Sequence, residues 1–170
     1  MPGSNPKKYK HVQAGLFDSD NVSSVQRKTP DRAVMYCDGA CSGNPGKSGI
    51  GVVISVSDSE SQNVEDIERY SISEYIGIAT NNIAEYTAFV RGLEKVRSLG
   101  VKRISVFMDS ELLVRQMTGV YKVKNKNLIP LWNKAKELLK GFDSYTIAHV
   151  RRELNEEADK LAREAVKKSR

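Results

Sequence analysis

Ala33-Val34-Met35-Tyr36-Cys37-Asp38 reads as a buried strand whose last residue is a carboxylate. Asp109 closes a second run of the same kind, Ile104-Ser105-Val106-Phe107-Met108. Glu85 and Asp159 fall instead among the apolar residues of two segments with helical spacing. Unpaired carboxylates near a core resist ionisation, and several gathered in one place are tolerable mainly when a cation neutralises them. If the strands ending at Asp38 and Asp109 are parallel neighbours, both side chains project from adjacent strand ends, where open sheets bind their ligands. Glu85 and Asp159 then close the site from flanking helices. The joint pattern predicts a metal-dependent enzyme. Taken singly, either Asp also fits a turn or cap, and Glu85 a first-turn residue that favours the helix dipole.

Working outward, strands are expected at Ala33–Cys37, Gly51–Val56 and Arg69–Ile76, with a turn-rich loop, Gly39 to Gly49, between the first two. Short links between them predict an antiparallel meander. Asn82 to Leu99 repeats Ile83, Tyr86, Val90 and Leu93 at helical spacing and stops at Gly100. Further on come a strand at Val101–Met108, helices at Ser110–Met117 and Leu128–Leu139, and a strand at Tyr145–Val150. The last helix begins near Asn155, an N-cap followed by Glu156 and Glu157, and is expected to bury Ala158, Leu161, Ala162 and Ala165. Three strands followed by alternating helices and strands therefore indicate an α/β fold, a five-stranded mixed sheet with helices packed on it. Residues 1–31 lack sustained periodicity and read as a flexible tail, in which Val12 to Phe17 is the part able to dock; 32–170 is the domain.

A chain of 170 residues with 39% hydrophobic content suits one core. No apolar run approaches the roughly 20 residues that cross a bilayer, and the polar N-terminus lacks the apolar middle of a secretory signal, so a cytoplasmic monomer is expected. The net charge of +6 allows a polyanionic partner, and Lys122, Lys124, Lys126 and the run Lys167-Lys168-Ser169-Arg170 cluster part of it. Cys37 and Cys41 are the only cysteines, which disfavours structural zinc; reduced thiols are the default, although a disulfide fits a sharp turn after Asp38. Oxygen ligands without a Cys or His set favour Mg2+, or Mn2+ in its place. Two such ions activate water and stabilise the leaving oxygen of a phosphodiester.

Four stretches carry a resemblance to type 1 ribonuclease H: Tyr36-Cys37-Asp38-Gly39-Ala40-Cys41-Ser42-Gly43-Asn44-Pro45-Gly46, Thr80-Asn81-Asn82-Ile83-Ala84-Glu85-Tyr86, Met108-Asp109-Ser110-Glu111-Leu112-Leu113 and Asn155-Glu156-Glu157-Ala158-Asp159-Lys160-Leu161-Ala162. They stand in that family's order and spacing. The resemblance implies a ribonuclease H-like fold, with strands 4 and 5 parallel to strand 1, and an endonuclease that cuts the RNA strand of an RNA–DNA hybrid, leaving a 3′-hydroxyl and a 5′-phosphate. Asp38, Glu85, Asp109 and Asp159 would hold two Mg2+ ions, with Asp38 bridging. Cys41, Asn44, Asn81 and Asn82 would contact the RNA strand, and Thr80 would seat a DNA phosphate. Read without the family, Asn44 is equally a turn residue before Pro45, and Asn81 or Asn82 a helix cap.

The chain also departs from many relatives. Thr118 to Trp132 is too short for the basic, tryptophan-containing insertion that grips the hybrid, and offers Lys122, Lys124 and Lys126 instead. His149 precedes Asp159 by ten positions, the interval at which the family places a mobile His. His149-Val150-Arg151-Arg152-Glu153 nevertheless resembles a compact archaeal and bacterial subgroup with a shortened loop, which makes His149 a strand residue and Arg152 the phosphate-facing helper. Two alternatives share these residues: a same-fold nuclease that also cuts double-stranded RNA, and a non-catalytic nucleic-acid-binding module. An unused acidic cluster would repel a phosphate backbone, which weighs against the second.

Overall fold

The computed structural model describes residues 30–58 and 67–168. The expected flexible tail, with Val12 to Phe17, lies outside the described residues except at its end, as do Ser169 and Arg170. Along the chain run β1 (Arg32–Gly43), β2 (Gly46–Ser57), β3 (Glu68–Ala79), α1 (Asn81–Ser98), β4 (Arg103–Met108), α2 (Glu111–Met117), α3 (Ile129–Leu139), β5 (Ser144–His149), a 3₁₀ turn (Arg152–Leu154) and α4 (Glu156–Lys168). The strands form one sheet in the order β3-β2-β1-β4-β5. The first three make the antiparallel meander that the short links predict, while β4 lies parallel on β1 and β5 parallel on β4, as the resemblance implies.

The expected loop from Gly39 to Gly49 is instead a hairpin. β1 and β2 stay in register from Arg32↔Ser57 to Gly43↔Gly46, so only Asn44 and Pro45 lie between the paired ends. Glycines and serines have low intrinsic strand preference, but a neighbouring strand supplies the ladder bonds that local sequence cannot reveal.

Strand alternation gives the sheet two different faces. Met35, Cys37, Ile50, Val52 and Ile54 join Tyr86, Phe89, Leu93 and Val96 of α1 in the main core. Each fully buried large side chain there contributes about 1.5–3 kcal/mol of transfer free energy. The opposite face carries Gly49 and Gly51, on which α4 lies: a Cβ at Gly51 would fall 2.0 Å from the Ala158 carbonyl oxygen. Ala158, Ala162 and Ala165 are buried in that contact, whereas Leu161, expected to be buried with them, stays half-exposed at its margin. Small residues on both sides bring the α4 backbone against the sheet, and a leucine has no room directly beneath it.

The start of α1 corrects one local reading. Thr80 is the N-cap, its hydroxyl accepting from the Ile83 N–H at 3.4 Å, so neither Asn81 nor Asn82 caps this helix. Cys37 and Cys41 are both free thiols. Among the described residues no helix is long and apolar enough to cross a membrane.

Candidate active site

Where β1 and β4 part company, two carboxylates appear. Their parallel register ends at Tyr36↔Phe107, and Asp38 and Asp109 each lie two positions further on. β1 continues against β2, with Asp38 opposite Gly51, while β4 stops at Met108 and the chain turns through Asp109 into α2. The divergence opens a crevice at the carboxyl ends of the parallel strands. Glu85 enters it because Gly39 lets α1 pass close by: a Cβ on Gly39 would stand 2.3 Å from the Glu85 backbone nitrogen. Glu85 sits one position beyond the first turn of α1, so the dipole reading does not account for it. Asp159 comes from the first turn of α4, next to the Ala158 that packs on Gly51.

All four carboxylates line one cavity of about 350 Å³, with Gly39, Ala40, Cys41, Asn81, Arg152 and Arg163 completing its wall. Asp38 is only 9% exposed. Burial pushes its carboxyl from an ordinary 3.8 up to about 8; repulsion from Asp109, Asp159 and Glu85 adds to this, and the Gly39 N–H, donating to Oδ1 at 2.8 Å, opposes it. Glu85 is raised as well, first by burial and then by Asp109, against hydrogen bonds from Ser110 and Asn81. Ser110 Oγ donates to Glu85 Oε2 at 2.6 Å and Asn81 Nδ2 to Oε1 at 2.8 Å. Burial, with Asp38, Glu85 and Asp109 adding to it, raises the Cys37 thiol well above its usual range, so it stays protonated and inert.

Asp159 is held differently: the guanidinium groups of Arg152 and Arg163 reach its Oδ1 at 2.9 and 3.0 Å. Asp109 Oδ1 accepts from Asn155 Nδ2 at 2.9 Å. With each acid engaged by protein donors, no three His, Cys, Asp or Glu among the described residues are already drawn together as a ligand shell. The donor set nonetheless suits a hard divalent cation. It is all oxygen, it concentrates four acids in one cavity, and burial disfavours the ionised form of Asp38, which a compensating charge would restore.

Of the residues expected to meet substrate, Cys41 and Asn81 line this cavity. The Cys41 thiol donates to the carbonyl oxygens of Ala79, at 3.1 Å, and Gly43. Asn44 stands outside it, its Oδ1 accepting from the Asn81 backbone N–H at 3.2 Å and so tying the hairpin to α1. Thr80 and Asn82 are half-exposed at the mouth of α1 and likewise outside the cavity wall. Arg152 lines it; His149 does not, being the last residue of β5, paired with Met108 and exposed. Lys122, Lys124 and Lys126 are exposed between α2 and α3. Sequence reasoning missed Ser110, Arg163 and the inward turn of Asn155. Arg163 was legible as the i+4 partner of Asp159 on a helix. Ser110 was read only as the first residue of a short helix, and nothing in the local sequence ties Asn155 to Asp109.

The Reverse transcriptase-like family model matches residues 36–165. Ribonuclease HI from Halobacterium salinarum is 38% identical over 157 residues, covering 92% of this chain and 75% of the relative. The crystal structure of RNase H1 from Halobacterium salinarum NRC-1 superimposes with a TM-score of 0.71 at 37% identity, covering 81% of this chain and 99% of that one. LC11-RNase H1, solved in complex with an RNA/DNA hybrid, gives 0.68 at 40% identity over 81% of this chain and 98% of its own.

Proposed function

This chain belongs to the type 1 ribonuclease H family, and from that premise we propose that it hydrolyses the RNA strand of RNA–DNA hybrids endonucleolytically, leaving a 3′-hydroxyl and a 5′-phosphate. The observation that carries this reading is the single cavity in which Asp38, Glu85, Asp109 and Asp159 meet. These four would hold two Mg2+ ions, or Mn2+ in their place. Such ions lower the pKa of bound water and stabilise the leaving oxygen at a phosphodiester.

The protein's own groups do the rest. Asp38 and Glu85 are raised in pKa by burial first and by repulsion from Asp109, and a bound cation would offset both effects and stabilise their ionised forms. Arg152, exposed and only lightly committed to Asp159, turns to a substrate phosphate and balances its charge. Cys41, Asn44, Asn81 and Asn82 border the path of the RNA strand, where donors and acceptors distinguish a 2′-hydroxyl strand from DNA. Thr80 stands at the adjoining helix start for a DNA phosphate. The catalytic domain spans residues 32–170.

Labelled RNA–DNA hybrid, double-stranded RNA and DNA duplex, each incubated with Mg2+, Mn2+ or EDTA, test the proposal. Hybrid cleavage that requires the metal and disappears in Asp109→Asn is expected. Persistent cleavage by Asp109→Asn would place the chemistry elsewhere, and cleavage of double-stranded RNA at a similar rate would favour the broader nuclease.

A further inference from the structure

We infer that Asn155 is a positioning residue for cation binding, its side-chain amide fixing the Asp109 carboxylate in place of capping its own helix. The inference rests on the functional reading above. Asn155 immediately precedes α4 and is 1% exposed. An asparagine there ordinarily turns its side-chain oxygen back to the first free N–H groups of the helix. Here that oxygen is buried with no hydrogen-bond partner.

The amide nitrogen explains the sacrifice. Nδ2 donates to Asp109 Oδ1 at 2.9 Å and to the Cys37 carbonyl oxygen at 3.1 Å. Exchanging nitrogen and oxygen would set Oδ1 against two other oxygens, so the orientation follows from the acceptors around it. The backbone joins in, since the Asn155 carbonyl accepts from the Asp159 N–H at 3.1 Å. One residue thus registers the loop carrying Asp109, the start of α4 carrying Asp159, and the strand position directly before Asp38. Pinning Oδ1 sets the plane of the Asp109 carboxylate before any ion arrives, which removes an ordering cost from binding.

Serine separates this role from a merely structural one, because it caps helices well yet is too short to reach Asp109. Mn2+ titration of the substrate-free protein by calorimetry, hybrid kinetics and thermal melting are measured for wild type, Asn155→Ser and Asn155→Ala. Asn155→Ser is expected to melt near wild type while binding Mn2+ roughly tenfold more weakly and losing about 10–100-fold in kcat, with KM for the hybrid little changed. Asn155→Ala is expected to show the same losses with a lower melting temperature. Mn2+ affinity and kcat within about twofold of wild type in Asn155→Ser, beside an active wild type, would overturn this inference alone. Failure of both variants to fold would overturn it too, as a structural role. A wild-type protein that neither binds Mn2+ nor cleaves hybrid would overturn the functional reading and this inference with it.

Discussion

Ser110 Oγ donates a 2.6 Å hydrogen bond to Glu85 Oε2, so the cap of α2 is also a direct partner of an acid on α1. The same hydroxyl accepts from the Leu113 N–H at 3.4 Å. One hydroxyl thus serves both the start of the short helix and the orientation of Glu85.

Ser110→Ala removes both hydrogen bonds. Loss of the cap is expected to cost about 1 kcal/mol, read as a fall in melting temperature. Ser110 lowers the Glu85 pKa, so its removal raises that pKa further, and the acid limb of the kcat/KM profile is expected to move to higher pH. An unmoved limb would mean that Glu85 does not titrate in it.

Asp38→Asn is expected to abolish cleavage and yet stabilise the metal-free protein. In the fold Asp38 titrates at about 8 rather than 3.8, so the folded state holds its proton more tightly. Stability from that proton is complete below pH 4 and is lost as pH rises through about 8. Melting in EDTA between pH 4 and 9 should therefore decline more steeply for wild type than for Asp38→Asn, and Mg2+ should narrow the gap. Parallel curves would contradict the burial of this charge.

Arg152→Ala is expected to reduce hybrid cleavage tenfold or more, because Arg152 reaches into the acidic cavity. His149→Ala should leave both rate and pH profile near wild type, since His149 ends a strand outside that cavity. A flattened pH–rate profile in His149→Ala would reverse the assignment.

Gly51→Val places side-chain atoms where the Ala158 carbonyl now lies. Overpacking of this kind costs about 1–3 kcal/mol, and α4 would carry Asp159 outward with it. A lower melting temperature together with weaker Mn2+ binding is expected; loss of stability alone would show that Asp159 keeps its place when α4 shifts.

Replacing Lys122, Lys124 and Lys126 together by Ala should weaken hybrid binding at low salt. The slope of log affinity against log salt should become shallower by up to about one unit for each phosphate that no longer meets a lysine. An unchanged slope would make these three a solvated loop.

Asp38, Glu85, Asp109 and Asp159 were legible in the sequence because each breaks an apolar pattern, two at strand ends and two on helices. The pattern also carried the meander and the stop of α1 near Leu99, while the direction of β4 and β5 came with the family resemblance. The hairpin through Gly39–Gly49 was not, since glycine-rich stretches carry no periodicity and pair only because β2 lies alongside. Leu161 was misplaced for a related reason: helical spacing identifies the inward stripe but not how near the partner backbone comes.

From its residues alone, this protein was bound to form a mixed sheet in which acids close two of the apolar runs, because alternation and helical period are local properties of the chain. Tertiary structure decided what each acid touches: Asn155 on Asp109, Ser110 on Glu85, and two arginines on Asp159. The Ser110–Glu85 and Asn155–Asp109 contacts bring groups 25 and 46 residues apart to within 3 Å, and no periodicity encodes that meeting, whereas the Arg163–Asp159 pair follows helical spacing.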